Sequence, residues 1–177
     1  AFDVLLARWS GQDDVVVGSP VAGRARPEVQ GVVGLFVNTL VLRADLSGHR
    51  SFRELLGEVR AGAIEAYDHH ELPFDRLVDE LELPRDSSRN PVFQVLFTLQ
   101  EAGGEGPRLD GVQSTLLPVM RSHAVFDLSL TVREGAAGLE TVWDYATDLF
   151  DAATAERMAR HLPVLLAGIV ADPDARV

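Results

Sequence analysis

The sequence contains no cysteine and no lysine, so all 16 basic residues among its 177 are arginines. Without cysteine the chain forms no disulfide and offers no thiolate to a metal, which is typical of proteins in a reducing compartment such as the cytoplasm. None of its five histidines stands in a His-Glu-x-x-His run, the usual zinc-binding pattern on a helix. We therefore expect a cytoplasmic protein without a metal site.

Long apolar runs and an excess of positive charge are also missing. No run approaches the roughly 18 residues that a membrane-spanning helix needs, and no basic segment precedes an apolar one as in a secretion signal. The formal net charge is -11, which argues against nucleic acid because phosphate binding requires basic patches. Neither a membrane nor a nucleic acid is expected as a partner.

The residues that are present suit a globular α/β domain. Hydrophobic residues make up 46% of the chain and charged residues 24%, proportions of a folded protein that is long enough for one core. The mixed order of strand and helix patterns predicts a layered α/β architecture. Predicted strands lie near residues 14–20, 40–46, 92–99, 112–119, 125–133 and 139–145, and predicted helices near 2–9, 51–69, 73–81 and from 151 onward.

Local signals set the ends of several helices: Gly11 is expected to end the first helix and Asp151 to cap the last. Ser51 and Glu54 form a capping-box pattern, and Pro73 opens a second, shorter helix, where its missing N–H costs nothing. Pro163 stands inside the last helix and is expected to kink it, at about 3 kcal/mol if unrelieved. No capping residue precedes the first helix, so we expect that the chain was cut from a longer one.

The buried face predicted for the helix at 51–69 comprises Phe52, Leu55, Leu56, Val59, Ala63, Ala66 and Tyr67.

An apolar stretch from Gly31 to Arg43 carries one polar pair, Asn38 and Thr39. An asparagine in a buried run must be hydrogen-bonded or it costs stability. The residues alone favour a buried turn into a core strand, with the Asn38 side chain capping backbone groups. The strand near 92–99 is apolar enough for burial on both faces.

His69 and His70, with Asp75 downstream, have two interpretations. A histidine beside an orienting carboxylate is a usual general base. The same residues suit a helix C-terminus before Pro73, which we favour because the proline already explains the chain break.

Two arginine pairs, Arg24 with Arg26 and Arg85 with Arg89, suit carboxylate or phosphate binding. Local pairing, to Asp86 and to backbone carbonyls, is the alternative that we favour. No Gly-x-Ser-x-Gly elbow and no phosphate loop is present. Composition and spacing therefore predict an α/β domain without a complete active site.

Four motifs, in order, resemble the C-terminal half of the condensation domain of nonribosomal peptide synthetases. They are Val-Gly-Ser-Pro-Val-Ala-Gly-Arg at 17–24, Gly-Leu-Phe-Val-Asn-Thr-Leu-Val-Leu-Arg at 34–43, His-Glu-Leu-Pro-Phe-Asp at 70–75 and Arg-Asp-Ser-Ser-Arg-Asn-Pro at 85–91. Segments 126–128 and 144–147 continue the likeness, which covers essentially the whole chain. The second motif argues against the related epimerization domains, and the third argues against other acyltransferases of the superfamily.

The resemblance implies a fold and a reaction. Condensation domains have two lobes, each similar to chloramphenicol acetyltransferase, and residues 1–177 are expected to form the C-terminal lobe, a mixed sheet flanked by helices. A tunnel between the lobes admits two phosphopantetheine arms, brought by donor and acceptor peptidyl carrier proteins. The acceptor amine attacks the donor acyl or peptidyl thioester to form an amide. The implied partners are the N-terminal lobe, both carrier proteins and an adjacent adenylation domain in antibiotic biosynthesis, with no cofactor bound directly.

One family motif, His-His-x-x-x-Asp-Gly, belongs to the N-terminal lobe, and its second histidine is implicated in the reaction. It is absent here: after His69 and His70, Asp75 comes one residue too late and Arg76 replaces the glycine. The resemblance therefore implies no catalytic residue in this chain and an isolated lobe that is inactive. The alternative is a non-catalytic module that docks carrier proteins and the N-terminal lobe.

The resemblance also nominates residues of the tunnel. Ser19 is expected at its wall near the reacting amine, and Asn38 in the loop beside it. Arg24 and Arg43 are expected as charge partners across the lobes or as structural residues. The Gly-rich segment 101–111 and its flanking strands are expected to cross to the N-terminal lobe, which would expose a strand edge in the isolated lobe.

Overall fold

A computed structural model describes residues 1–48, 50–84, 86, 88–100, 110–112, 123–135 and 138–177. Its elements, in chain order, are α1 (Phe2–Ser10), β1 (Asp14–Val21), α2 (Pro27–Gln30), β2 (Asn38–Asp45), α3 (Phe52–Asp68), α4 (Phe74–Glu80), β3 (Val95–Gln100), β4 (Leu128–Gly135), β5 (Gly138–Tyr145) and α5 (Ala152–Ala171). Each element except the one-turn helix α2 overlaps a predicted strand or helix.

The described strands form one mixed sheet in the order β2-β1-β3-β4-β5. Strand β1 pairs antiparallel with β2 and parallel with β3, while β4 pairs parallel with β3 and antiparallel with β5. The predicted mixed sheet with flanking helices is thereby confirmed. The strand expected near 112–119 and the expected crossing at 101–111 lie almost entirely outside the described residues, and both stay predictions.

One face of the sheet carries the core. Side chains alternate along a strand, and the register places Val17, Val95 and Leu128 side by side on three neighbouring strands. Helices α1 and α5 pack on this face, which we call the covered face. Its core consists of Phe2, Leu5, Leu6, Val15, Val17, Leu128, Leu130, Met158 and Leu162. Full burial of such a side chain stabilises the fold by about 1.5–3 kcal/mol.

The opposite face of the sheet, here the open face, bears polar side chains on β3 and β4. By the same alternation Thr98, Ser129 and Thr131 point to this side. Burial on both faces was predicted for β3, and that prediction is wrong: no residue of β3 is fully buried, and Leu99 is 67% exposed. In the described part of the chain, helices cover the sheet centre on one side only.

The capping box at the start of α3 forms as predicted. The Glu54 carboxylate accepts from the Ser51 amide at 2.8 Å, and the Ser51 hydroxyl accepts from the Glu54 amide at 3.3 Å. The predicted buried face is too wide, because Leu55 is the one fully buried residue of α3, whereas Leu56 and Tyr67 are about half exposed. Helix α3 lies along the edge strand β2, and an edge strand offers only a narrow surface to bury.

Helix α5 runs without interruption from Ala152 to Ala171, although Pro163 lies inside it. The helix is not broken at Pro163, which is exposed to solvent, and the expected kink stays a prediction. Its start is capped by Asp151, whose carboxylate accepts from the Thr154 amide at 2.6 Å. None of the helices that the structure describes is long and apolar enough to cross a bilayer.

Candidate functional site

The loop between β1 and β2, here the Arg24 loop (residues 24–37), is organised around one guanidinium group. Arg24 donates from Nη1 to the carbonyl oxygen of Val32 at 2.8 Å and from Nη2 to that of Gly34 at 3.0 Å. The guanidinium carbon lies 4.3 Å from the centre of the Phe36 ring, a cation–π distance. Carbonyl groups in a loop need partners, and this single side chain supplies them. The local alternative predicted for Arg24 is therefore what the described residues show.

Gly23 brings the two ends of the Arg24 loop together. Its φ of +64° lies in the left-handed region, and a Cβ built there would overlap the carbonyl oxygen of Phe36. Any other residue would strain the backbone and separate Gly23 from Phe36. The loop is thus fixed at its base by a glycine and along its length by an arginine.

The apolar side chains of the Arg24 loop point outward. Val33 is 100% exposed and Leu35 is 90% exposed. The buried turn predicted within the stretch from Gly31 to Arg43 is therefore wrong, and the core begins only in the strand that follows, where Leu40 is buried. Exposed aliphatic residues on a fixed loop are typical of contact surfaces.

Asn38, at the start of β2, joins this loop to the next motif. Its Nδ2 donates to the carbonyl oxygens of His70 at 2.9 Å and Leu72 at 2.6 Å, and its Oδ1 accepts from the amide of Phe74 at 3.0 Å. The predicted capping of backbone groups by Asn38 is confirmed. The Phe74 amide is at the start of α4, whose N-cap residue Pro73 makes no side-chain hydrogen bond, so Asn38 also caps this helix.

His70 takes the helix-terminus arrangement that we favoured. Its ring Nδ1 lies 2.7 Å from the carbonyl oxygen of Tyr67 in the last turn of α3. The neighbouring Glu71 forms an ion pair with Arg26 at 2.9 Å, with both side chains largely exposed. Among the described residues, no group of three or more histidine, aspartate or glutamate side chains is arranged to hold a metal ion.

The second arginine pair is described only in part, because Arg85 lies outside the described residues. The Asp86 carboxylate accepts from the Ser88 hydroxyl at 2.7 Å and from the Ser88 amide at 2.9 Å. These bonds, with a smaller contribution from the charge of Arg89, hold the pKa of Asp86 below its usual value. The carboxylate is thus used locally, in a turn.

Three phenylalanine rings pack together where the first and third motifs meet the residues that follow the fourth. Phe93 is 3% exposed, and its ring centre lies 5.5 Å from those of Phe74 and Phe126. A Cβ on Gly18 would overlap the Phe93 ring, so only glycine lets the ring reach β1. The segments 126–128 and 144–147 also meet, through the hydrogen bond from the Ala146 amide to the Asp127 carbonyl oxygen at 3.0 Å.

Ser19 and Arg43, the other two residues that the resemblance nominates, lie on neighbouring strands of the sheet. Ser19 of β1 is 7% exposed and stands opposite Leu40 on the covered face, where Val17 belongs to the core. Arg43 of β2 binds Asp14 of β1 through two hydrogen bonds, at 2.8 and 3.0 Å, and these lower the pKa of Asp14. A tunnel role for Ser19 and interlobe roles for Arg24 and Arg43 stay predictions.

Two grooves adjoin these motifs. The loop groove encloses about 450 Å³ between the Arg24 loop and the segment before α4, and its lining includes Leu35, Val37, Asn38, Glu71 and Pro73. The sheet-face groove encloses about 610 Å³ on the open face, and its lining includes Thr98, His123, Phe126, Ser129, Thr131 and Asp144. Hydroxyl groups and one carboxylate in an open groove can position a polar chain by hydrogen bonds.

Sequence reasoning missed the polar face of β4. Ser129, Thr131 and Arg133 alternate with the apolar Leu128, Leu130 and Val132, and this period of two marks a strand with one face outside the core. The alternation was available in the sequence. The position of Thr98 beside β4 could not be predicted from the sequence, because it depends on the register between β3 and β4.

Comparison with known proteins gives one consistent result. The family model described as "Condensation domain" matches residues 1–177. A linear gramicidin synthase protein of Brevibacillus parabrevis is 49% identical over 100% of this chain, which corresponds to 2% of that protein. Chondramide synthase cmdD of Chondromyces crocatus is 45% identical over 100% of this chain and 4% of its own length.

Two solved structures superpose closely on this chain. The holo four-domain nonribosomal peptide synthetase AB3403, bound to AMP and glycine, superposes with a TM-score of 0.89 at 27% identity, over 99% of this chain and 14% of that one. The X-domain in complex with OxyB from teicoplanin biosynthesis gives 0.87 at 29% identity, over 98% of this chain and 39% of that one. The chain therefore spans only a small part of the curated relatives and well under half of these solved chains.

Proposed function

The chain belongs to the condensation-domain family of nonribosomal peptide synthetases, and we propose that it forms the C-terminal lobe of a peptide-bond-forming domain. The fold of this family is the chloramphenicol-acetyltransferase-like fold that the sequence predicted. In this proposal two carrier proteins present thioesters on phosphopantetheine arms. The acceptor amine attacks the donor carbonyl carbon, a C–N bond forms, and the C–S bond breaks. The amine proton is lost and the departing sulfur leaves as the donor carrier's thiol. The other partners proposed are the N-terminal lobe and an adjacent adenylation domain.

The observation that carries this proposal is the convergence of the four motifs. Asn38 ties the second motif to the third, and the ring of Phe93, two residues after the fourth motif, contacts the first and third. These contacts build a fixed support beside two open grooves. We infer that the motifs together hold one wall of the tunnel between the two lobes in place. The reacting groups are supplied from outside this lobe.

The sheet-face groove is the part of this wall that suits a thioester substrate. A phosphopantetheine arm is a long flexible chain with two amide groups, and such groups pair well with hydroxyls. Thr98, Ser129 and Thr131 present hydroxyls on the open face of adjacent strands. The arm would supply the thiol that carries the acyl group, while these side chains orient the chain and exclude part of the water around it.

The wall needs a base from the partner lobe. The resemblance implies that the reactive histidine stands in the His-His-x-x-x-Asp-Gly motif, which this sequence does not contain. In this proposal the lobe therefore contributes orientation, which alone can supply several kcal/mol of rate enhancement, and no proton transfer.

A non-catalytic docking module is the second candidate, and the exposed Arg24 loop favours it. Val33 and Leu35 are presented on a loop that Arg24 and Gly23 hold in one shape. Pre-organised apolar side chains reduce the entropy cost of association. The lobe can dock partners and also take part in catalysis. Only the catalytic proposal requires that this lobe restore condensation activity to a separate N-terminal lobe.

The test is reconstitution from separate parts. We expect this chain, mixed with a separately produced N-terminal lobe and two loaded carrier proteins, to yield a dipeptide thioester detectable by mass spectrometry. The control omits this chain. Stable association of the two lobes without product would leave only the docking function.

A further inference from the structure

Residues that precede β3 are joined to residues that precede β4. The Asn90 side chain donates from Nδ2 to the carbonyl oxygen of Val125 at 3.1 Å, across 35 positions of sequence. The backbone amide of Asp127 donates to the carbonyl oxygen of Gln94 at 3.0 Å. These two hydrogen bonds are called the Asn90 clamp below.

The turn that carries Asn90 is held in an unfavourable conformation. Val92 has a φ of +69°, in the left-handed region that β-branched residues avoid, and the Phe93 amide donates across it to the carbonyl oxygen of Pro91 at 2.8 Å. Such a backbone persists only where its surroundings over-determine it. Here the buried Phe93 ring supplies that restraint, and Gln94 Nε2 adds a single hydrogen bond within the turn, to the Asn90 carbonyl oxygen at 2.8 Å.

The other side of the clamp lies at the edge of the sheet-face groove. Val125 and Phe126 line that groove together with Ser129 and Thr131. Strand β4 begins directly afterwards, at Leu128. The clamp therefore sets where the polar face of β4 starts, and a shift at Val125 would move the first hydroxyl groups of the groove with it.

We propose that Asn90 is a positioning residue for the condensation reaction, an inference that rests on the function proposed above. Asn90 does not line the groove; it acts through Val125, whose carbonyl oxygen it holds. A misplacement of about 1 Å at a reacting centre can cost about 100-fold in rate. Loss of the clamp should therefore reduce turnover and leave the binding of carrier proteins largely unchanged.

Two variants separate this role from general support of the turn. Asn90→Asp keeps the shape of the side chain and removes the donor to Val125. Gln94→Met is the matched control, because it removes a hydrogen bond within the same turn and leaves both bonds of the clamp intact. Each is compared with the unmodified chain, combined with the N-terminal lobe and two loaded carrier proteins.

We expect Asn90→Asp to lower kcat by about tenfold or more while KM for the acceptor carrier changes by less than about twofold. Gln94→Met should change both constants by less than about twofold. Equal losses of kcat in the two variants, a change in KM alone, or no loss in Asn90→Asp would each overturn the proposal.

Hydrogen exchange on the chain alone distinguishes this inference from the proposed function. Asn90→Asp should speed exchange of the Asp127 amide by about tenfold relative to Gln94→Met, since local opening exposes that amide. Unchanged exchange contradicts the clamp even if the reconstituted domain makes product. If the unmodified chain supports no dipeptide formation, the proposed function fails and the positioning role fails with it, whereas faster exchange would still establish the clamp.

Discussion

Asn38→Asp should weaken the fold by removing two hydrogen-bond donors without changing the shape of the side chain. The amide nitrogen that now donates to the carbonyl oxygens of His70 and Leu72 becomes a carboxylate oxygen. The bond that the side chain accepts from the Phe74 amide is kept. The substitution therefore tests the link between β2 and the segment before α4, and little else.

The expected magnitude follows from these contacts. Two lost hydrogen bonds contribute about 1 kcal/mol each, and an oxygen facing two carbonyl oxygens adds repulsion, so the free energy of unfolding should fall by about 2–3 kcal/mol. In a domain of this size that corresponds to a midpoint lower by about 4–12 °C. The deficit should shrink as the pH falls, because the introduced carboxyl group loses its charge on protonation and can then donate one hydrogen bond.

Urea unfolding followed by circular dichroism measures this change, with Thr39→Ala as the control at the adjacent position. Thr39 lies in the same strand, and its truncation should cost less than about 1 kcal/mol. A loss of less than about 0.5 kcal/mol in Asn38→Asp, or a loss no larger than that in the control, would show that Asn38 does not hold the two motifs together.

Three further predictions concern stability. Gly18→Ala should cost about 1–3 kcal/mol, because its Cβ overlaps the Phe93 ring, and a variant as stable as the parent in thermal unfolding would contradict that packing. Gly57→Ala, in the exposed interior of α3 with no atom within 4 Å of the new Cβ, should instead stabilise by about 0.5–1 kcal/mol in the same assay. Backbone amides at helix starts lower the pKa of Glu54 and Asp151, so their contribution to stability is complete above the usual carboxyl pKa near 4 and is lost as the pH falls through the lowered values. Urea midpoints that stay constant through acidic pH would refute this last prediction.

Local chemistry predicted much of the fold because its signals lie within a few residues of one another. Ser51 and Glu54 form their capping box from side chains three positions apart, and Gly11 ends α1 in the left-handed conformation, with a φ of 70°. Asp151 caps α5 in the same local way. The ends of such elements can be predicted from a few neighbouring residues, without the rest of the chain.

Exposure was predicted less well, because an apolar residue does not reveal what covers it. Val33 and Leu35 have the composition of a buried turn and lie in solvent, and the central strand β3 is covered on one side only among the described residues. A segment that contacts another surface has the same composition as a core segment. The distinction requires the arrangement of the surrounding elements.

The site shows the same division between what is local and what is distant. The residue type of Asn38 indicated that it must be hydrogen-bonded, but its partners lie 32 to 36 positions away. The need for glycine at position 18 comes from the Phe93 ring, which only the folded chain brings there. Recognition of the motifs supplied the family, whereas the contacts that make them one support came from the structure.

The most direct test of the account is a single-turnover condensation assay with this chain and an N-terminal lobe in two forms, one unmodified and one whose second motif histidine is alanine. We predict dipeptide thioester when this chain meets the unmodified lobe, almost none with the alanine form, and none from this chain alone. Product from this chain alone would contradict the claim that it lacks the reactive group. Equal product with and without this chain would contradict the claim that it forms half of the working site.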